Sequence, residues 1–351
     1  MTGTTVSATG TDGDGTDWLA DRRLDWLVTA CVCWGTAGLV LDVRSHVEGF
    51  SFAEEGFLTP EHTVIYSGFL AVAGLLAVVI QRERWRGADW LDAVPTGYGL
   101  GLVGLVLFAL AGPGDALWHA TFGAEADVEA LASPTHLALA TGGVLFCTSP
   151  LRATLARARS GEPTEGWVAQ GPLVVTATLA AVVATVFTVY AHPAFLLAGS
   201  GGVGAAHGLS GLLFHAGLVA AVVLFLSTRV RLAPGVVALL VVVPAAAGAW
   251  LGAHPWLVPW YVGAGLLAES GVWLARWTLD AGRWPPVVGA VPPAALVAGH
   301  FASLAARGGL SWTVHLWVGA VFMAAVVGGF LGLLSAPRPM LRGGETRQAA
   351  D

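Results

Sequence analysis

Ten apolar runs, each long enough to cross a bilayer, leave this chain few folds to choose from. They cover residues 24–44, 61–81, 93–114, 134–155, 171–191, 206–227, 233–253, 257–277, 286–305 and 312–335. A hydrocarbon core about 30 Å thick is crossed by roughly 20 apolar residues in a helix. Within lipid the backbone must satisfy its own hydrogen bonds, which leaves helices or a closed barrel. The runs are evenly apolar and lack the period-2 alternation of barrel strands. The expected fold is all-α, a polytopic membrane helical bundle of about ten transmembrane helices. A mean hydropathy of +0.70, with 11% charged residues, agrees with this and excludes an ordinary soluble enzyme.

Charge placement orients the bundle. All 17 basic residues are Arg. Fifteen fall on one side of a ten-helix tally: Arg22, Arg23, Arg82, Arg84, Arg86, Arg152, Arg157, Arg159, Arg229, Arg231, Arg276, Arg283, Arg338, Arg342 and Arg347. Only Arg44 and Arg307 fall on the other. Basic residues concentrate on the cytoplasmic side, so both termini are expected there, in the plasma membrane of a prokaryote. Residues 1–20 are rich in Gly, Thr and Asp and read as a disordered cytoplasmic N-terminus. They lack the basic start and apolar core of a signal peptide. Residues 21–336 form the transmembrane domain, and 337–351 a polar cytoplasmic tail. Cys31, Cys33 and Cys147 lie in apolar segments and read as small buried hydrophobes, with no disulfide framework.

One motif occurs twice on the outer side. Asp42-Val-Arg-Ser-His46 is followed by Thr59-Pro60-Glu61-His62, and Asp115-Ala-Leu-Trp-His119 by Ser133-Pro134-Thr135-His136. The offset from His46 to His119 matches that from His62 to His136 to within a single position. Residues four apart share a helix face, so each Asp lies one turn from its His. Thr59 or Ser133 suits an N-cap and Pro60 or Pro134 the first helical position. That puts His62 and His136 in the first turn, where the helix dipole disfavours the imidazolium. A neutral imidazole is what a metal ion needs. Each copy then offers one carboxylate and two imidazoles. Ser67-Gly68 and Thr141-Gly142 follow, small residues that let membrane helices approach closely. The non-metal alternative is a clamp in which the Asp hydrogen-bonds the His residues.

Five hairpins are expected, near 24–81, 93–155, 171–227, 233–277 and 286–335, each joined on the outside. Histidines recur at the junctions as His192 with His207 and His300 with His315, and Glu269 follows His254 at the same spacing. Such a period points to a duplicated hairpin. His192, His207, His215, His300 and His315 are lesser candidate ligands, with interhelical hydrogen bonding as the alternative. Glu269, midway along its helix, is a candidate proton relay. Arg44 could pair with Asp42, bind an anionic substrate or snorkel to the surface.

Asp42-x3-His46…Phe57-Leu-Thr-Pro-Glu-His62 resembles the metal-binding motif in the C subunit of particulate methane and ammonia monooxygenases. The match is local to each copy of the motif and does not extend over the whole chain. The resemblance implies that Asp42, His46 and His62 bind copper, or zinc, and by repetition that Asp115, His119 and His136 do so too. Two copies of the motif, about ten helices and a longer interhistidine loop depart from that family, and nothing here matches its soluble copper domain.

Four functions compete: a copper-dependent, monooxygenase-like oxidoreductase acting on a small apolar substrate; a membrane haem protein; a metal transporter or carrier; and a non-catalytic structural subunit. An Asp/His/His set with open positions suits a redox-active first-row metal. Haem would use histidines but not the paired Asp. A transporter would want ligands across the whole membrane, yet the clusters sit near one face. The expected partners are the lipid bilayer, with other membrane subunits or a homo-oligomer. Nucleic acid is excluded by the shortness of the basic patches.

Overall fold

The computed structural model describes residues 17–48, 59–123 and 127–336. All regular structure among them is helical. The helices are α1 (Asp17–Val47), α2 (Pro60–Trp85), α3 (Gly99–Phe122), α4 (Asp127–Ala132), α5 (Pro134–Cys147), α6 (Ser149–Arg159), α7 (Trp167–Phe187), α8 (Pro193–Leu196), α9 (Ala205–Ser227), α10 (Val236–Leu251), α11 (Val258–Thr278), α12 (Trp284–Ala306) and α13 (Val314–Ser335). Helix α1 starts inside the stretch read as a disordered N-terminus. The rest of that stretch and the 337–351 tail lie outside the described residues.

Among the described residues, seven helices are long and apolar enough to cross a membrane: α1, α2, α3, α7, α9, α12 and α13. Each of the ten apolar runs overlaps a helix, but three do not make an unbroken apolar span. The 134–155 run is divided at Thr148, between α5 and α6, where Pro150 cannot donate a helix hydrogen bond. Helix α10 has only 16 residues. Helix α11 has 21, but Glu269, Ser270 and Arg276 dilute its apolar character.

Helix α1 packs along α2, α3 along α5, α10 along α11, and α12 along α13. The expected 171–227 pair is different. Helix α7 packs mainly on α10, α1 and α6, whereas α9 packs on α12 and α13. The cause is the segment between them, which forms a short 3-10 turn and α8 and carries α9 away.

The first two hairpins cross in the same way. A Cβ on Gly68 would lie 2.9 Å from Gly35 N and 3.0 Å from Cys31 O. A Cβ on Gly142 would lie 2.9 Å from Phe108 N and 2.8 Å from Gly104 O. Gly35 and Phe108, like Cys31 and Gly104, are separated by the same offset as His46 and His119, so the two crossings fall at matching positions. Only glycine permits this backbone contact. At the Arg-rich end Asp25, 1% exposed, pairs with Arg157 of α6 and accepts from Tyr98 Oη at 2.6 Å. That buried ion pair ties the start of α1 to the second hairpin.

Candidate metal centre

Each hairpin builds its donor set from the same local parts. Asp42 and His46 lie one turn apart near the end of α1, and Asp115 and His119 likewise on α3. Thr59 Oγ1 accepts from the His62 backbone N–H at 3.0 Å, and Ser133 Oγ from that of His136 at 3.2 Å. Both caps precede a proline at the first helical position. Cap and proline fix where the second helix starts, and so where its histidine stands.

In the second hairpin the three side chains converge. One donor atom from each of Asp115, His119 and His136 lies within 4.8 Å of the others. His119 Nε2 is 3.4 Å from Asp115 Oδ2, and His136 Nδ1 is 3.5 Å from Asp115 Oδ1. Thr135 Oγ1 donates to Asp115 Oδ1 at 2.6 Å, and Ser133 Oγ lies 2.8 Å from His136 Nδ1. His119 Nδ1 faces the Gly123 carbonyl at 3.3 Å. That carbonyl can only accept, so the Nδ1 proton belongs there and neutral His119 keeps its lone pair on Nε2. The lone pair then meets a carboxylate oxygen at 3.4 Å, two acceptors that repel unless a proton or a cation joins them. Bonds of about 2 Å to a tetrahedral ion place donor atoms about 3.3 Å apart, close to the two Asp–His separations here. Gly123 ends α3 with φ +86°, a conformation that favours glycine.

The first hairpin gathers two of its three donors. His62 Nε2 is 3.3 Å from Asp42 Oδ1, and that oxygen is buried without a hydrogen-bond partner. His46 Nδ1 lies instead 3.4 Å from Ser45 Oγ, whose proton goes to the Asp42 backbone carbonyl at 2.7 Å. Among the described residues, only the α3–α5 group brings three donors together.

Both sets open onto one cavity of about 110 Å³. Asp42, His62 and Tyr66 line it from the first hairpin, and Asp115 and His136 from the second. Phe69, Phe108, Leu139, Phe146 and Val183 make much of the rest apolar, and Cys31 and Cys147 also line it. All three cysteines are free thiols; Cys147 is buried, and Cys33 is exposed on its helix. His136 is within electrostatic reach of Asp42, and Tyr66 of both carboxylates. The Tyr66 hydroxyl lies against Gly112, where a Cβ would come within 3.3 Å of it.

The lesser candidates take other roles. Glu269 caps α10: its Oε1 accepts from Gly235 N and its Oε2 from Ala238 N, both at 3.1 Å. Both oxygens serve an otherwise uncapped helix start, which replaces the relay reading. His207 and His315 are exposed in the first turns of α9 and α13. His192, His215 and His300 are buried and line two other cavities, not the one that Asp42, His62, Asp115 and His136 share. Arg44 donates to the Trp250 and Leu251 carbonyls at 3.0 and 3.2 Å and pairs with Glu48. It therefore satisfies the end of α10 and not Asp42.

Thr135, Gly123 and Tyr66 escaped the sequence reading. Thr135 sits inside the Ser-Pro-x-His cap, and Tyr66 one turn beyond His62, so a polar residue at each place was the available signal. No known protein family, curated protein or solved structure matches the chain.

Proposed function

We propose that this is a multi-pass membrane protein that holds a first-row transition metal at Asp115, His119 and His136, with a second, weaker position at Asp42, His46 and His62. The observation that carries the reading is the facing of His119 Nε2 and an Asp115 oxygen at 3.4 Å beside a cavity shared by both sets. Copper is the metal the donor set and the motif resemblance favour, with zinc as the redox-silent alternative. Copper bound there supplies a redox couple and open coordination positions. The protein's own part is to hold and orient. Gly123 fixes the His119 tautomer, and Thr135 fixes the Asp115 carboxylate. Such partners around a metal site commonly set its affinity. The aromatic walls keep water out and admit a small apolar substrate from the lipid. An apolar cavity of about 150 Å³ takes up benzene, so a chamber of about 110 Å³ suits something smaller.

Elemental analysis and EPR of detergent-purified protein test this reading. Tightly held copper with a nitrogen-rich type 2 signal is the expected outcome. Metal-free protein that takes up neither copper nor zinc would reduce the Asp/His sets to clamps. A strong Soret band would favour haem. The same reading has ten membrane crossings with both termini cytoplasmic, α5–α6, α10 and α11 completing the seven longer spans. Reporters fused at Gly123 and Gly161 should then lie on opposite sides, and finding both on one side would sink that topology.

A further inference from the structure

The second half of the bundle holds a buried histidine cluster that the metal centre does not use. His192, His215 and His300 are 4%, 4% and 1% exposed. Space is cut for His192: a Cβ on Gly248 would lie 2.1 Å from its Cε1. The neighbours of the three rings assign their tautomers. His192 Nδ1 accepts from the Ala194 N–H at 3.2 Å, so the proton of a neutral ring sits on Nε2. His215 Nδ1 faces the Gly211 carbonyl at 2.9 Å, which puts its proton on Nδ1 and its lone pair on Nε2. His300 Nε2 faces the Ala198 carbonyl at 2.8 Å, so its Nδ1 receives the Tyr261 hydroxyl proton at 2.9 Å. A metal ligand must offer a lone pair. The lone pairs of His192 and His300 are already engaged; that of His215 Nε2 faces Thr188 Oγ1 at 3.3 Å, whose own proton goes to the Ala184 carbonyl. The cluster therefore lacks the donors for a metal ion, although it has the residues for one.

A nearby threonine points to what it does take. Thr176, Thr178 and Thr188 each return their hydroxyl to the carbonyl four residues back, at 2.6, 2.8 and 2.7 Å. Thr185 does not. It is 1% exposed, and its Oγ1 is buried with no partner. Thr185, His192 and His215 together line a cavity of about 20 Å³. A second cavity of about 20 Å³ is lined by His192, His215, Tyr261 and His300. One water needs roughly 10–15 Å³ of such space and two to four polar partners. Thr185 Oγ1, the His192 Nε2–H and the His215 Nε2 lone pair offer both donors and acceptors.

We propose that the Thr185 cavity binds one water, and that the cluster is a metal-free hydrogen-bond network in which this water bridges Thr185, His192 and His215 while Tyr261 and the Ala198 carbonyl hold His300. Solid-state NMR of lipid-embedded protein labelled with ¹⁵N-histidine reads the tautomers directly. All three rings should be neutral, with His192 and His300 protonated at Nε2 and His215 at Nδ1. Added zinc should leave these signals in place. Infrared spectra in H₂¹⁸O should show a buried-water O–H band, and the shape-conserving Thr185→Val variant should lose it while the His300 signal stays fixed. A His192 proton on Nδ1, a zinc-induced shift at His192, or identical water bands in wild type and Thr185→Val would each overturn the proposal. None of these outcomes depends on whether Asp115 holds a metal.

Discussion

The two Asp/His/His hairpins share caps, prolines and a glycine crossing, yet one gathers three donors and the other two. Three differences separate them. Where the second has Thr135, the first has Glu61 at the matching place before its histidine. Thr135 donates to Asp115, whereas a carboxylate in that place has no proton to give, and Asp42 Oδ1 is left without a hydrogen bond. Where the second has Trp118 before its histidine, the first has Ser45, whose hydroxyl lies beside the His46 ring. Helix α3 also carries Pro113, which frees the Ala109 carbonyl just before Asp115, while α1 has Val40 there. Two hairpins can thus carry the same ligand residues at the same spacing and still differ in readiness, because the groups around the ligands are not the same.

The largest effect should come from breaking the comparison at the ligands. His119→Ala with His136→Ala is expected to remove the ion that survives dialysis against a chelator. His46→Ala with His62→Ala should remove only the ion that dialysis already strips. Metal content per chain, before and after dialysis, reads both. Equal retention by the two double variants would mean that the hairpins do not differ in affinity.

How much of this was legible in the sequence follows the range of the interactions. Asp42 with His46, Asp115 with His119, the Thr59 and Ser133 caps and the Gly68 and Gly142 crossings are set within one helix turn or between adjacent helices. Spacing alone reveals such features. The displacement of α9 from α7 was hidden, because an evenly apolar run carries no label for its neighbour. Glu269 looked like a costly intramembrane charge. Its partners, Gly235 N and Ala238 N, sit on another helix and have no side-chain signature. The tautomers of His192, His215 and His300 depend on groups brought in by folding, so their residue types alone left ligation and interhelical hydrogen bonding both open.

A middle-sized effect should follow from exchanging the supporting residue. Glu61→Thr gives the first hairpin a hydroxyl donor for Asp42, and Thr135→Glu takes one from Asp115. Losing such a partner typically costs about 10–100-fold in metal affinity. Thr135→Glu should therefore weaken the tighter site by about that factor, and Glu61→Thr should strengthen the weaker one by a smaller amount. Competition titrations against a chromophoric chelator measure both. If neither exchange moves its affinity, the difference between the hairpins lies with Ser45 and Pro113.

The smallest effect concerns what the hairpins have in common. Gly68→Ala would press a Cβ to 2.9 Å from Gly35 Cα and N, and Gly142→Ala to 2.8 Å from Gly104 O. Both contacts are with backbone, so neither partner can swing aside, and overpacking of this kind costs about 1–3 kcal/mol. Gly74 and Gly143 lie on the same two helices with nothing within 4 Å of a Cβ, and serve as controls. Alanine there should be neutral or slightly stabilising, since it lowers the backbone entropy lost on folding. Thermal unfolding in detergent should show similar drops in Tm for Gly68→Ala and Gly142→Ala, and none for the controls. Because the crossing also sets the distance from Asp115 to His136, Gly142→Ala should lower retained metal as well as Tm. Gly68→Ala should lower Tm and leave the tighter ion in place. A Gly68→Ala protein that lost the tighter ion would show that the two hairpins hold one joint centre instead of two unequal ones.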